Sequence, residues 1–312
     1  MRRLEADAEF LDFLMEVGSD FSLTQGLGGN SSIKSEGLML VKASGKKLGE
    51  AHLPNHFYEV GVLEGEHYEV KADQSGKPSI EVFLHAMLAQ KYVVHLHSAQ
   101  GVALSVLSAH NGNLRASLEA RGVSIVEYCT PGIELKNAIE STMQSHVASS
   151  QTATFLLQNH GTLFGANSVK LLRDEVSRFE NEASLELETR PNILIRPDNI
   201  DFVLDPIEAS HIKWHAQNNW RISPDNVVFL GIRAPEGLLQ ELSGSNTVRN
   251  ILQKVFPETN KIGPREEQLL WFFNVVRFLP CIELPTLVEG EARKLLSWEA
   301  EQHRLKSVHL DR

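Results

Sequence analysis

Tyr92-Val93-Val94-His95-Leu96-His97 is a run of β-forming residues that places two histidines two positions apart. On a strand, side chains at i and i+2 leave the same face. This spacing therefore sets two imidazoles side by side at a strand's end, with Leu96 turned the other way. Zinc accepts imidazole nitrogen readily, and catalytic zinc sites commonly use three protein ligands and keep one position open. Two unrelated histidines at a sheet end have the same spacing, so the pair alone leaves the metal reading open. A third ligand must come from elsewhere. His160 follows the apolar run 153–157 and precedes Gly161, where the chain can turn toward a neighbouring strand.

Strands and helices alternate on both sides of this run. Residues 5–17 read as an amphipathic helix with Phe10, Phe13, Leu14 and Val17 on one face. Residues 38–41 and 69–71 read as strands. Residues 80–90 read as a helix with Pro78 and Ser79 at its mouth. A helix is expected over 101–109, a strand over 123–128, a helix over 135–147, a strand over 152–158 and a long helix over 168–187. This is a mixed α/β pattern. Prolines and a loss of helical period over 189–198 mark a boundary, dividing the chain into a catalytic domain, 1–190, and an extension, 191–312. In the extension a helix is expected over 206–220, a strand over 226–230, and helices near 235–255 and 286–306. No residue of this part stands out chemically, and its expected role is packing, assembly or shaping the mouth of a site.

The helix after Pro78 carries Glu81 and His85 on one face and runs straight into the histidine strand. Its N-terminus can point back at a metal, and a carboxylate there can ligate an ion or act as a general base. A first-turn glutamate is also favoured by the helix dipole alone. Gln25-Gly26-Leu27-Gly28-Gly29-Asn30-Ser31-Ser32 can turn backbone N–H groups toward an anion, with Asn30 and Ser31 adding donors. It is not a dinucleotide fingerprint, since Ser31 stands where the third glycine belongs. Lys42-Ala43-Ser44-Gly45-Lys46 adds a hydroxyl, backbone amides and two cations. Together these loops suggest a phosphate or carboxylate pocket. His52, His56, His67, His303 and His309 read as solvated.

With 312 residues, 42% hydrophobic and 22% charged, the chain has the composition of a globular protein with a real core. A formal net charge of −10 argues against nucleic acid and anionic membranes as partners. Cys129 and Cys281 are in no metal-like spacing and read as buried thiols in a reducing compartment. The N-terminus lacks the apolar core of a signal peptide, and the apolar run 269–279 is too short to span a bilayer. The expectation is a cytoplasmic protein.

Taken in order, Gly29-Asn30-x-Ser32, Lys42-Ala43-Ser44-Gly45, Pro78-Ser79-x-Glu81, Val93-Val94-His95-x-His97-Ser98 and Asn159-His160-Gly161 resemble the class II aldolase/adducin family over residues 21–182. The resemblance implies a three-layer α/β/α sandwich around a central, mainly antiparallel sheet, with a C-terminal α/β extension, often assembled as a homotetramer. It implies Zn2+ on His95, His97 and His160, with Glu81 as the acid/base carboxylate. It matches Gly29, Asn30, Ser44, Gly45 and Ser79 to substrate- and phosphate-binding positions. The implied activity is retro-aldol cleavage of a small ketose or ketose phosphate through an enediolate that the metal stabilises. Dehydratases, epimerases and decarboxylases use the same kind of site, although the sugar-phosphate epimerases usually carry aspartate where Glu81 stands. The family's cytoskeletal members use the fold as an assembly head and lack the full histidine set. The lysine of Lys42-Ala43-Ser44-Gly45, the Pro-Ser-x-Glu form and the C-terminal extension are similar to the aldolase portion of fusions between a rhamnulose-phosphate-type aldolase and a short-chain dehydrogenase. This chain is expected to carry that portion without the dehydrogenase. In two respects it departs from sugar-phosphate aldolases of the family. Ile80 stands where a second serine is common, and Tyr128 does not match the tyrosine that protonates the leaving aldehyde in some members.

Overall fold

The computed structural model describes residues 6–64, 66–69, 76–143, 150–187, 191, 193–243, 246–258 and 261–298. Helix α1, Ala8–Ser19, starts where the Asp7 carboxylate accepts from the Phe10 N–H at 3.0 Å, and it buries Phe10, Phe13, Leu14 and Val17 as the periodicity predicts. Eight strands follow: β1 Asn30–Ser35, β2 Leu38–Lys42, β3 Phe57–Leu63, β4 Glu66–Glu69, β5 Tyr92–Leu96, β6 Val123–Val126, β7 Thr152–Leu157 and β8 Gly161–Ala166. They form one sheet in the order β4-β3-β2-β1-β5-β8-β7-β6. Each neighbouring pair is antiparallel except β6 and β7, which are parallel.

Helices cover both faces. Along β5, Val93 points into a cluster with Leu84, Leu135 and Ile139, contributed by α2, Val82–Met87, and α5, Ile133–Thr142. Val94 and Leu96 point into the opposite cluster. There they meet α1, α3, Ala99–His110, and α6, Val169–Glu186, with α4, Gly112–Ala120, beside them. The fold is therefore the expected three-layer sandwich, and the period of two along β5 sends His95 to the α2 face.

The C-terminal part comprises α7 Pro206–Asn218, α8 Pro224–Leu230, α9 Leu238–Glu241, α10 Val248–Val255, α11 Pro264–Arg277, α12 Glu289–Ser297 and a ribbon of β9, Val203–Leu204, with β10, Asn246–Thr247. It shares the α3-side hydrophobic cluster, to which it contributes Ile212, Leu269, Leu270, Trp271, Phe272 and Phe273. Fully burying one such side chain contributes roughly 1.5–3 kcal/mol. The five from α11 alone thus outweigh the whole net stability of a marginal domain before entropy is charged, and α11 is held firmly against α3.

Several elements differ from expectation. Residues 224–230 form a helix and not a strand: all seven are buried, Ser223 Oγ accepts from Asn226 N at 3.1 Å, and Pro224 takes the first turn. The β-branched run was a burial signal, and the Ser-Pro-Asp start was the helix signal. Strand β1 begins inside the polar stretch read as a loop, because its Asn30, Ser31 and Ser32 are buried polar groups in mid-sheet. Strands β3 and β8 and helices α4 and α11 were not anticipated. His56 is buried and not solvated, and Cys281 is exposed and Cys129 half-buried. Residues 70–71 of the expected second strand, 144–147 of the expected fourth helix, 188–190 and 192 at the boundary, and 299–306 with His303 and His309 lie outside the described residues. Among the described residues no helix is long and apolar enough to cross a membrane.

Glu180, on α6, accepts a hydrogen bond from the Ser98 hydroxyl, yet burial pushes its carboxyl up from 4.5 to about 7. Among the described residues its Oε1 has no partner. The folded chain therefore holds this proton more tightly than the unfolded chain does. The contribution is fully present below the ordinary value of 4.5 and is lost as pH rises through about 7. Glu180→Gln should flatten that fall, gaining up to about 3 kcal/mol relative to wild type between pH 5 and pH 8. Urea unfolding at both pH values checks this, and parallel pH slopes for the two proteins contradict it.

Candidate metal centre

Sheet register gathers the candidate ligands at one end of the sheet. Asn30 pairs with His95 between β1 and β5, and Leu96 pairs with Thr162 between β5 and β8. The turn between β7 and β8 carries His160 and so lies beside the end of β5. That turn needs a glycine. A Cβ on Gly161, whose φ is +155°, would sit 2.3 Å from the Leu96 carbonyl oxygen and 3.1 Å from the rings of both His95 and His97.

His95 Nδ1 lies 3.1 Å from the Thr162 carbonyl oxygen, which can only accept and so favours the proton on Nδ1. His97 Nδ1 lies 3.1 Å from Asp225 Oδ2, an ion-pair contact in which the carboxylate favours a proton on that nitrogen. The Nε2 atoms of the two rings are 2.9 Å apart, close enough to share a proton or to face one ion together. Glu81 Oε1 approaches to 3.2 Å from His160 Nε2 and 3.5 Å from His95 Nε2. The candidate ligand atoms of His95, His97 and His160 all lie within 4.8 Å of one another, and all three residues are buried. Burial holds the His95 imidazole well below its usual range. Burial works against ionisation of Glu81, but the neighbouring His95 and the hydrogen bond from His160 hold its carboxyl well below 4.5. The donor set fits a divalent cation, and imidazole nitrogens with one carboxylate suit zinc.

A pocket of about 470 Å³, its open mouth included, leads to these groups and is lined in part by Gly29, Ser44, Gly45, Ser79, Glu81 and His160. The two small-residue loops are tied together beneath it. Ser44 N donates to Lys77 O at 2.9 Å, Ser79 N donates to Lys42 O at 3.3 Å, and Ala43 pairs with Pro78. Ser79 Oγ accepts from the Glu81 N–H at 3.3 Å, at the cap of α2. Asn30 is placed differently from the others. It is fully buried, its Oδ1 accepts from Ser31 N at 2.8 Å, and its Nδ2 lies 3.4 Å from Glu81 Oε2, so it orients the carboxylate. Ile80 and Lys42 also line the pocket, and Lys42 Nζ donates to Lys46 O at 2.7 Å. Tyr128 lies outside the lining and packs beside Val227 and Leu287.

Sequence reasoning missed the C-terminal contribution. Asp225 and Pro224 line the pocket, and Trp271 Nε1 donates to the His97 carbonyl oxygen at 2.8 Å. Asn159, beside His160, donates to Ile222 O at 3.0 Å and Pro285 O at 2.9 Å. The signal was the Ser223-Pro224-Asp225 helix start, which places an acid in a first turn. A second group, His211, His215 and Cys281, is also close-set. There Asn219 Oδ1 accepts from Leu284 N at 3.1 Å, which orients its Nδ2 toward His215 Nδ1 at 2.9 Å. That ring nitrogen must accept, so the His215 proton is on Nε2 and the ring offers an ion no free lone pair.

Purified without chelators, the protein should hold about one divalent ion per chain. His95→Ala should empty the site while the circular dichroism spectrum is kept. Elemental analysis of both proteins checks this, and full metal retention by the variant contradicts it.

The family model described as the class II aldolase and adducin N-terminal domain matches residues 12–187. No curated protein matches the chain. Among solved structures, the N-terminal class II aldolase domain of a conserved Thermoplasma acidophilum protein is 24% identical, with a TM-score of 0.44 over 58% of this chain and 96% of that one. YgbL of Klebsiella pneumoniae is 24% identical, with a TM-score of 0.42 over 61% and 96%. An L-fuculose 1-phosphate aldolase is 20% identical, with a TM-score of 0.41 over 58% and 85%. The match over residues 12–187, more than half of the sequence, makes this chain a member of the class II aldolase and adducin family.

Proposed function

We propose that the chain is a zinc-dependent carbon–carbon lyase that cleaves a small ketose, or its phosphate, by a retro-aldol reaction. The observation that carries this reading is the meeting of three buried imidazoles with the Glu81 carboxylate at the floor of an open pocket. A divalent ion held by His95, His97 and His160 supplies Lewis-acid stabilisation of negative charge on substrate oxygens.

The chain's own residues do the rest. Glu81 is held as a carboxylate beside the cage, and Asn30 steadies its second oxygen. It is the group placed to exchange a proton with the carbon freed when the C–C bond breaks. Gly29, Ser44, Gly45 and Ser79 offer donors along the pocket wall, and Lys42 adds positive charge, which supports an anionic group on the substrate. Ile80 takes from this wall a hydroxyl that phosphate-using relatives commonly have. A complete cage is of no evident use to a non-enzymatic assembly head, which favours the enzyme. The family resemblance supports a homotetramer working in the cytoplasm, on a sugar or sugar-phosphate substrate and without nucleic acid or membrane as a partner. The same resemblance supports residues 1–190 as the catalytic domain and 191–312 as its extension.

Glu81→Gln keeps the shape and removes the base. Turnover of the best substrate from a panel of ketoses and ketose phosphates should fall about 10²- to 10⁴-fold, with metal content unchanged. Unaltered turnover removes Glu81 from the chemistry. Ile80→Ser should restore one hydrogen bond to a charged group, worth about 1.5–3 kcal/mol, and so tighten phosphate about ten- to a hundredfold. Calorimetry with inorganic phosphate reads this. If neither protein binds phosphate while the wild type binds an uncharged sugar or a carboxylate, the phosphorylated substrate is excluded.

A further inference from the structure

Residues 12–187 carry the family's domain, yet a polar contact on one of the three imidazoles comes from outside it. Asp225 Oδ2 stands 3.1 Å from His97 Nδ1, with both side chains almost wholly buried. Asp225 lies in the first turn of α8, a helix whose seven residues are all buried and which Ser223 caps. Its backbone is therefore held by the packing of that helix. Loop geometry on the other side leaves room for this contact. Gly28 faces the pair, and a Cβ built there would lie 2.9 Å from His97 Nδ1 and 3.1 Å from Asp225 Oδ2. Any larger residue would drive the carboxylate and the imidazole apart. The His97 backbone is held from the same part of the chain, by the Trp271 indole N–H on its carbonyl oxygen at 2.8 Å.

A neutral imidazole carries one proton, on Nδ1 or Nε2. A carboxylate 3.1 Å from Nδ1 favours the proton there, which leaves Nε2 its lone pair. Nε2 is the atom that faces His95 Nε2 and the cage. His95 obtains the same service from a strand carbonyl within the family's domain, and among the described residues His160 Nδ1 has no partner. His97 is the ring whose orientation depends on a residue far along the chain.

We propose that Asp225 is a positioning residue, supplied by the C-terminal extension, which sets the tautomer and ring angle of His97 so that the cage can take a divalent ion. This rests on the metal reading above and makes the extension a structural part of the site. Hydrogen-bonded partners behind metal-binding histidines typically govern metal affinity by about 10- to 100-fold.

The test uses the full chain in four forms: wild type, His95→Ala, Asp225→Asn and Asp225→Ala. Zinc affinity is measured by competition with a coloured chelator. The imidazole tautomers of the zinc-free wild type and Asp225 variants are read from nitrogen-15 NMR, and thermal melts confirm folding. Asp225→Ala should weaken zinc about 10- to 100-fold. Asp225→Asn, which keeps a neutral acceptor and the shape, should weaken it less and guards against loss of fold in the alanine variant. Wild type should show His97 protonated on Nδ1, and Asp225→Ala should lose that signature. Zinc bound by wild type, lost in His95→Ala, but held with unchanged affinity in both Asp225 variants overturns this proposal and leaves the metal reading standing. Absence of zinc binding by wild type overturns both.

Discussion

His95 Nε2 and His97 Nε2 face each other at 2.9 Å, with the Thr162 carbonyl oxygen 3.1 Å from His95 Nδ1 and the Asp225 carboxylate 3.1 Å from His97 Nδ1. Two imidazole nitrogens brought this close in a buried place form an arrangement that the fold must impose. Much of the surrounding structure serves that imposition. The β5–β8 register supplies the Thr162 carbonyl, α2 begins where Glu81 can reach His160 and His95, and Gly161 lets the His160 turn pass against Leu96. A cation placed among these atoms would be attracted by all of them.

The C-terminal part belongs to this arrangement as much as the sheet does. Its apolar side chains merge with the cluster on the α3 face, and its polar contacts fall on the glycine-rich loop and on the turn that carries His160. Gln268 lies 3.4 Å from Gln25, Glu267 accepts from Gly26 N at 2.5 Å, and Asn159 is held by Ile222 and Pro285. Hydrophobic burial gives the docking its strength, and a few buried hydrogen bonds give it register. Loops that would otherwise be free to move are thereby held at fixed distances around the pocket.

Much of this was legible in the amino-acid sequence. The period of two in Val93-Val94-His95-Leu96-His97 placed both histidines on one face, and the apolar run before His160 placed the third at a strand's end. The helix at Glu81 was legible from Pro78 and Ser79. What escaped reading has common physical causes. Strand β1 is polar at Asn30-Ser31-Ser32 because its side chains serve the site, so it carries no hydrophobic alternation. Residues 224–230 lack amphipathic period because they are buried on all sides, and a continuous apolar run does not distinguish helix from strand. Asp225 escaped because an acid in a first turn is ordinary locally, and its partner lies 128 positions away, a separation that only the folded chain reveals.

The central claim is that three imidazoles, and no sulfur, hold a divalent ion in this protein. X-ray absorption at the zinc edge, on protein purified without chelators, addresses it directly. The account predicts nitrogen and oxygen neighbours at about 2.0–2.2 Å, outer-atom scattering from three imidazole rings, and loss of one ring's contribution in His160→Ala. A sulfur neighbour at about 2.3 Å, or a spectrum unchanged by His160→Ala, would contradict it.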